Sequence, residues 1–327
     1  MKAQIAIALA VLLCVGPSAA VGQPVVKVHR IGILESVAAA SNEANLDAFR
    51  QGLRVLGYVE GRNFVIEYRS ADDRPERFAD LASELVRFPV DVILTRGSSA
   101  TLSAKQVTTT IPIVMATSGD PTAEGIVRNL TRPGENVTGL YILAPLTLAG
   151  DRLRLLKEAA PGLSRVGILW NPVDIQPPLL ARETEKVARA MGVQLKTFEV
   201  QRPQALDQAF EAALLGQVDA FIAVEDSLTF NNRARIVSFA AMSRLPAIYG
   251  LREFVDAGGL MSYGTDRRDL FRRAATYVHR ILNGARPGDL AVEPPTKFEL
   301  AINLKTARAL GLTIPPSLLQ RADHIVE

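Results

Sequence analysis

The sequence predicts an α/β protein made of two doubly wound parallel-sheet lobes joined by a multi-strand hinge. Three observations carry this. Short, wholly apolar runs of strand length alternate with amphipathic stretches of helical length, the pattern of a parallel sheet covered on both faces. The series of runs begins again part-way along the chain in the same order. The 327 residues, 48% hydrophobic, are more than one core needs and suit two.

The elements follow in order. Ile31 to Leu34 is the first buried strand. Ser41 is placed to cap a helix whose apolar positions Leu46, Phe49, Leu53 and Leu56 keep the helical period, stopped by Gly57. Phe64 to Tyr68 is the next strand, and Pro75 opens a helix carrying Phe78, Leu81 and Leu85. Val90 to Thr95 is a strand, Ser99 to Val107 a helix, and Ile111 to Ala116 a strand. Arg30-Ile31-Gly32-Ile33-Leu34 then returns as Arg165-Val166-Gly167-Ile168-Leu169, and Val90 to Leu94 as Val218 to Ile222. Ile111 to Val114 returns as Leu245 to Ile248. Three matches in order predict two lobes of one topology.

Past Ile248 the chain adds Gly259 to Tyr263, a helix from Asp266 to Leu282, a turn from Asn283 to Gly288, a strand from Phe298 to Ile302 and a short helix from Thr306 to Leu310. That surplus completes both lobes. The expected division is 25–142 plus 250–293 for the first lobe and 143–249 plus 294–327 for the second. The crossings are expected near Gly139 to Pro145, at Gly250 and near Pro294-Pro295, forming a hinge over a cleft that can close.

Residues 1–22 read as a secretory signal peptide: Lys2, an apolar run from Ile5 to Val15 too short to span a bilayer, then small residues to Ala20. Leu13 stands where lipid attachment at Cys14 would need a small residue, so Cys14 is expected to leave with the peptide. The exported chain then has no cysteine, hence no disulfide and no thiolate metal site, which fits a bacterial periplasm.

Lysine and arginine total 37 against 34 acids, no nucleic-acid footprint. Arg267-Arg268 and Arg272-Arg273 are read as a solvated helix face. His29, His279 and His324 have no metal-ligand spacing. There is no Gly-x-Ser-x-Gly elbow, no phosphate loop and no full dinucleotide fingerprint. No catalytic residue, metal or cofactor is assigned.

In open parallel sheets, ligands sit beyond the C-terminal ends of the strands. In the first lobe those ends are Glu35-Ser36, Arg96-Gly97-Ser98-Ser99 and Thr117-Ser118-Gly119-Asp120. In the second they are Asn171 to Asp174, Glu225-Asp226-Ser227 and Tyr249-Gly250. Gly97, Ser98 and Ser99 lie between a strand and a helix, where hydroxyls and first-turn N–H groups suit a carboxylate; the alternative is a helix cap alone. Arg96 either adds a bidentate contact or is a loop-end surface charge. Thr117 and Ser118 form a second hydroxyl pair. Asp120 either meets an ammonium or caps the helix after Pro121. Glu225 and Asp226 could receive an ammonium or hydroxyl, Asn171 offers donor and acceptor, and Tyr249 either stacks on the ligand or belongs to the core. Ser36 completes the candidate set, with Glu35 beside it.

Several longer motifs carry a resemblance: Gly57-Tyr58-Val59-Glu60-Gly61-Arg62-Asn63, Ser103 to Gln106 with Ile111 to Val114, Gly119-Asp120-Pro121, and Leu130-Thr131-Arg132-Pro133-Gly134-Glu135-Asn136-Val137-Thr138-Gly139. Trp170-Asn171-Pro172, Leu245 to Gly250 and Pro295 to Ala307 extend it nearly to the C-terminus. The chain resembles the substrate-binding proteins of ABC transporters that include the tryptophan- and tyrosine-binding proteins, whose fold is like that of type I periplasmic binding proteins. The resemblance implies capture of a small molecule and delivery to an ABC permease and its ATPase at the inner membrane, without catalysis. It suggests an amino acid or an aromatic or small carboxylate as ligand. The chain is expected to act as a monomer and to have no nucleic-acid partner. A ligand sensor feeding a membrane receptor, or a secreted α/β enzyme with an unfamiliar site, are the other readings.

Overall fold

The computed structural model describes residues 27–72, 74–173 and 176–327, so the expected signal peptide lies outside the described residues. The first sheet holds β1 (His29–Glu35), β2 (Phe64–Ser70), β3 (Val92–Arg96), β4 (Ile113–Thr117) and β5 (Val137–Gly139), all parallel, in the order β2-β1-β3-β4-β5. The second holds β6 (Arg165–Trp170), β7 (Gln194–Glu199), β8 (Ala220–Ala223), β9 (Ala247–Tyr249), β10 (Met261–Thr265), β11 (Phe298–Asn303) and β12 (His324–Val326). Its order is β12-β11-β10-β9-β8-β6-β7, parallel except where β11 runs against β10.

Helices α1 (Glu43–Val55), α2 (Phe78–Arg87) and α3 (Ser98–Val107) follow the first three strands, and α4 (Thr147–Ala159) leads into the second lobe. There, α5 (Gln176–Ala190), α6 (Leu206–Leu215), the short α7 (Ser227–Asn231) with α8 (Arg233–Met242), and α9 (Arg252–Asp256) connect successive strands. Helix α10 (Arg267–Leu282) joins β10 to β11, and α11 (Leu304–Ala309) and α12 (Pro316–Arg321) precede β12.

The repeat seen in the sequence is a repeat in space. β1, β3 and β4 hold the same places as β6, β8 and β9. One device recurs with it: the Asp91 carboxylate accepts the Arg30 N–H at 2.8 Å, and Asp219 accepts the Arg165 N–H at 2.8 Å. Each pins the start of a central strand to its neighbour.

Two expectations are corrected. Ser41 does not cap α1; it lies in a short 3-10 turn, and the residue before the helix is Asn42, whose amide donates to Glu35 at 2.7 Å. The chain also does not cross at Gly250. Strand β10 pairs with β9 and β11, so residues 250–265 go with the second sheet. Gly250 is a glycine for packing, since a Cβ there would run into the Glu225 carboxylate. The crossing comes after Thr265, where α10 returns to the first lobe. Its Leu270, Phe271, Ala274 and Val278 share a core with Leu46, Phe49 and Leu53 of α1. Gly52 lets the two helices approach: a Cβ there would sit 2.8 Å from the Ala275 side chain.

The three crossings run side by side. Tyr141 N–H donates to the Glu293 carbonyl at 3.1 Å, and the Thr265 hydroxyl donates to the Ile142 carbonyl at 3.1 Å.

Candidate functional site

The strand ends of the two lobes face each other across a cavity of about 390 Å³. On the first lobe, Gly97 turns the chain from β3 into α3 at φ +87°, a left-handed conformation that glycine adopts without strain. The first-turn N–H groups of α3, which no carbonyl within the helix can reach, open on this cavity with Ser98 and Ser99. The Ser98 hydroxyl accepts the Gly119 N–H at 2.9 Å and shares a hydrogen bond with the Ser118 hydroxyl at 3.2 Å. The loops after β3 and β4 are thereby held as one wall, with Thr117 and Ser118 buried in it.

Asp120 stands at the end of that wall as a cap. One oxygen accepts the N–H groups of Thr122 and Ala123 at 3.0 and 2.9 Å and the Thr122 hydroxyl at 2.6 Å. Burial works against its charge, but these donors outweigh it and hold the carboxyl below its ordinary range.

Arg96 is no surface charge. Its side chain is 7% exposed and donates to the fully buried Glu35 at 2.5 Å. Glu35 also accepts from Asn42 and from the Ser36 N–H. Burial alone would lower the Arg96 pKa, yet Glu35 and then Glu253 more than compensate and hold the guanidinium above its ordinary value.

On the second lobe, Glu225 is gripped from behind. Both its oxygens accept from Arg152, at 2.6 and 2.5 Å, and Arg152 Nε donates to the Tyr263 carbonyl at 2.7 Å. Asp226 and Thr229 form a capping box: Asp226 accepts the Thr229 N–H at 2.7 Å, and the Thr229 hydroxyl accepts the Asp226 N–H at 3.0 Å. Both acids line the cavity.

The cavity gathers nine of the eleven candidate residues: Ser36, Gly97, Ser98, Ser99, Thr117, Ser118, Asp120, Glu225 and Asp226. Two are placed elsewhere. Tyr249 is fully buried and stacks on Phe254 at 4.7 Å, so its ring belongs to the core under α8 and α9. Asn171 uses its side-chain oxygen to accept the Val173 N–H at 3.0 Å, closing its own turn.

Sequence reasoning missed Arg267 and Phe230. Arg267, expected on a solvated helix face, is the first residue of α10; it lines the cavity and donates to Glu253 at 2.7 Å. The Asp266 N-cap in front of it was the available signal, because a helix start after a strand points at the cleft.

A family model described as ABC transporter substrate binding protein matches residues 30–326. A tyrosine-binding protein of Clostridioides difficile (strain R20291) is 25% identical over 288 residues, covering 88% of this chain and 82% of the relative. Among solved structures, a conserved domain protein from Vibrio cholerae is similar at TM-score 0.78 and 27% identity, over 91% of this chain and 100% of that one. An ABC domain from Streptococcus pneumonia in complex with L-Trp is similar at TM-score 0.78 and 25% identity, over 92% of this chain and 100% of that one.

Proposed function

The chain belongs to the ABC transporter substrate-binding protein family, and from that premise we propose that it is the periplasmic solute receptor of an uptake system, holding an amino acid or an aromatic or small carboxylate between its lobes and handing it, chemically unchanged, to the permease and its ATPase. One observation carries the reading: a single cavity is walled by the strand-end loops of both lobes. A ligand there touches both at once, so its binding energy favours the closed form over the open one.

The first-lobe wall suits a carboxylate. The α3 N-terminus and the hydroxyls of Ser98, Ser99 and Ser118 present donors at the positive end of a helix dipole. Opposite it, Glu225 and Asp226 supply carboxylate oxygens that suit an ammonium or hydroxyl, while Arg96 and Arg267 add positive charge to the same lining. The likeness to a tyrosine-binding protein and to a domain in complex with L-Trp supports an amino acid. Among the described residues no helix is long and apolar enough to cross a membrane. With residues 1–22 read as a signal peptide, export is part of the proposal, and a monomeric state is proposed beside it.

A thermal-shift panel of amino acids, aromatic acids and small carboxylates tests it. A ligand at a hundred times its Kd stabilises the native state by about 2.7 kcal/mol, a shift of several degrees. Ser98→Ala is expected to weaken that ligand about tenfold through one lost charge-assisted hydrogen bond. If no compound shifts the melting temperature, or Ser98→Ala leaves the affinity unaltered, the assignment of this wall is wrong.

A further inference from the structure

Phe230 lies on α7 and lines the cavity from the second lobe, 7% exposed. Three guanidinium groups lie over its ring. Arg233 of the neighbouring α8 is 4.7 Å from the centroid. Arg267, just past the crossing from β10, is 4.6 Å away. Arg96, at the end of β3 in the first lobe, is 5.1 Å away. A benzene ring has only two faces, each attractive to a cation through the ring quadrupole, and the attraction grows where water is excluded.

Two of these cations are fixed by carboxylates of their own. Glu35 holds Arg96 and Glu253 holds Arg267. Neither needs the ring for its charge balance, so what the ring adds is position. The Arg96 contact spans the cleft, and the Arg267 contact joins α7 to the start of the helix that returns to the first lobe. Swinging the lobes apart would break the Arg96 contact, whereas Arg233 stays on the same lobe as Phe230.

We propose that Phe230 is a positioning residue that latches the cleft: its ring docks on Arg96 across the lobes, so the ligand-free protein already samples the closed form, and its covered faces leave no platform for stacking a ligand. This rests on the reading of the cleft as one that opens and closes. The latch also has a role for the ligand. An arginine held against a ring keeps its donors at the cavity wall, where a bound carboxylate can use them without waiting for the side chain to be ordered.

The test needs no ligand, which separates it from the test of function. In the full chain with Cys14→Ser, Glu76→Cys on the first lobe and Arg182→Cys on the second, both exposed in the parent, carry spin labels for distance measurement by double electron–electron resonance. Phe230→Leu keeps an apolar side chain but removes the quadrupole; Phe230→Tyr keeps the ring. The expected result is two distances in the ligand-free parent, with the closed population lowered about tenfold relative to the open one in Phe230→Leu and restored in Phe230→Tyr. Circular dichroism establishes that each variant folds. The same two distances in the same ratio in all three proteins would overturn the latch and leave the solute-binding reading standing. One unchanged distance throughout would overturn both the latch and the moving cleft. A population lowered equally by Leu and Tyr would show that packing, not the ring's charge distribution, sets the balance, and would also overturn it.

Discussion

Arg152→Ala should lower the unfolding free energy by about 3–5 kcal/mol, the range for breaking a buried ion pair from one side. Arg152 is 1% exposed, and its guanidinium donates to both oxygens of Glu225 and to the carbonyl of Tyr263. Removing it leaves the Glu225 carboxylate uncompensated against Gly250 and strips the Tyr263 carbonyl of a donor. Arg152→Lys should recover only part of the loss, because an ammonium cannot present the fork that meets both oxygens and the carbonyl together. Arg152→Leu combined with Glu225→Leu should be closer to the parent than Arg152→Ala alone, since no lone charge remains. Urea unfolding of the three variants measures this; a loss below about 1 kcal/mol for Arg152→Ala would mean the pair is effectively solvated. The same arginine sets how the cavity sees Glu225. With both oxygens engaged from behind, that acid presents a partly neutralised edge to a ligand.

Glu299 should contribute a loss of stability as pH rises from about 4.5 to about 7. Glu299 lies on β11 just past the third crossing. Burial, and then the Asp266 carboxylate, push its pKa from 4.5 up to about 7, against the pull of Arg252. Glu253 adds to the rise and Arg268 opposes it. Arg252 stands 3.9 Å away and shares itself with Asp256 and the His324 ring, so its help is incomplete. The native state therefore keeps a proton that the unfolded chain has already released, and the native advantage declines through that window. Glu299→Gln should remove that share of the pH dependence and leave the variant more stable than the parent at pH 8, by on the order of 2 kcal/mol. Urea midpoints at pH 5 and pH 8 decide it: parallel changes in parent and variant would exonerate Glu299. The position gives the effect reach, because β11 starts where the chain re-enters the second lobe.

The strands and their duplication were legible because a buried parallel strand is written as a local apolar run, and each run recurs in order. The site was legible to the extent that strand ends can be located. Ser98 and Ser118 follow β3 and β4, neighbouring parallel strands whose C-terminal ends lie side by side. The rest depends on residues far apart in the chain. Nothing near Arg152 announces Glu225, 73 positions later. Tyr249 looked like a site residue because it ends a strand, but the alternation of β9 turns its ring inward onto Phe254. Arg267 looked like a surface residue because its neighbours are charged, and only the return of α10 to the first lobe brings it to the cavity. The boundary at Gly250 failed for a related reason: a glycine needed for close packing and one needed for a hinge read alike in sequence.

The return of α10 to the first lobe has a consequence for how the protein is made. Leu46, Phe49 and Leu53 are translated early, but the helix that covers them ends at Leu282. At about 5–20 residues per second, their apolar faces wait roughly 10–50 s for that cover. Neither half of the molecule can finish as the nascent chain emerges, and a polypeptide that cannot settle early stays threadable for a translocation channel.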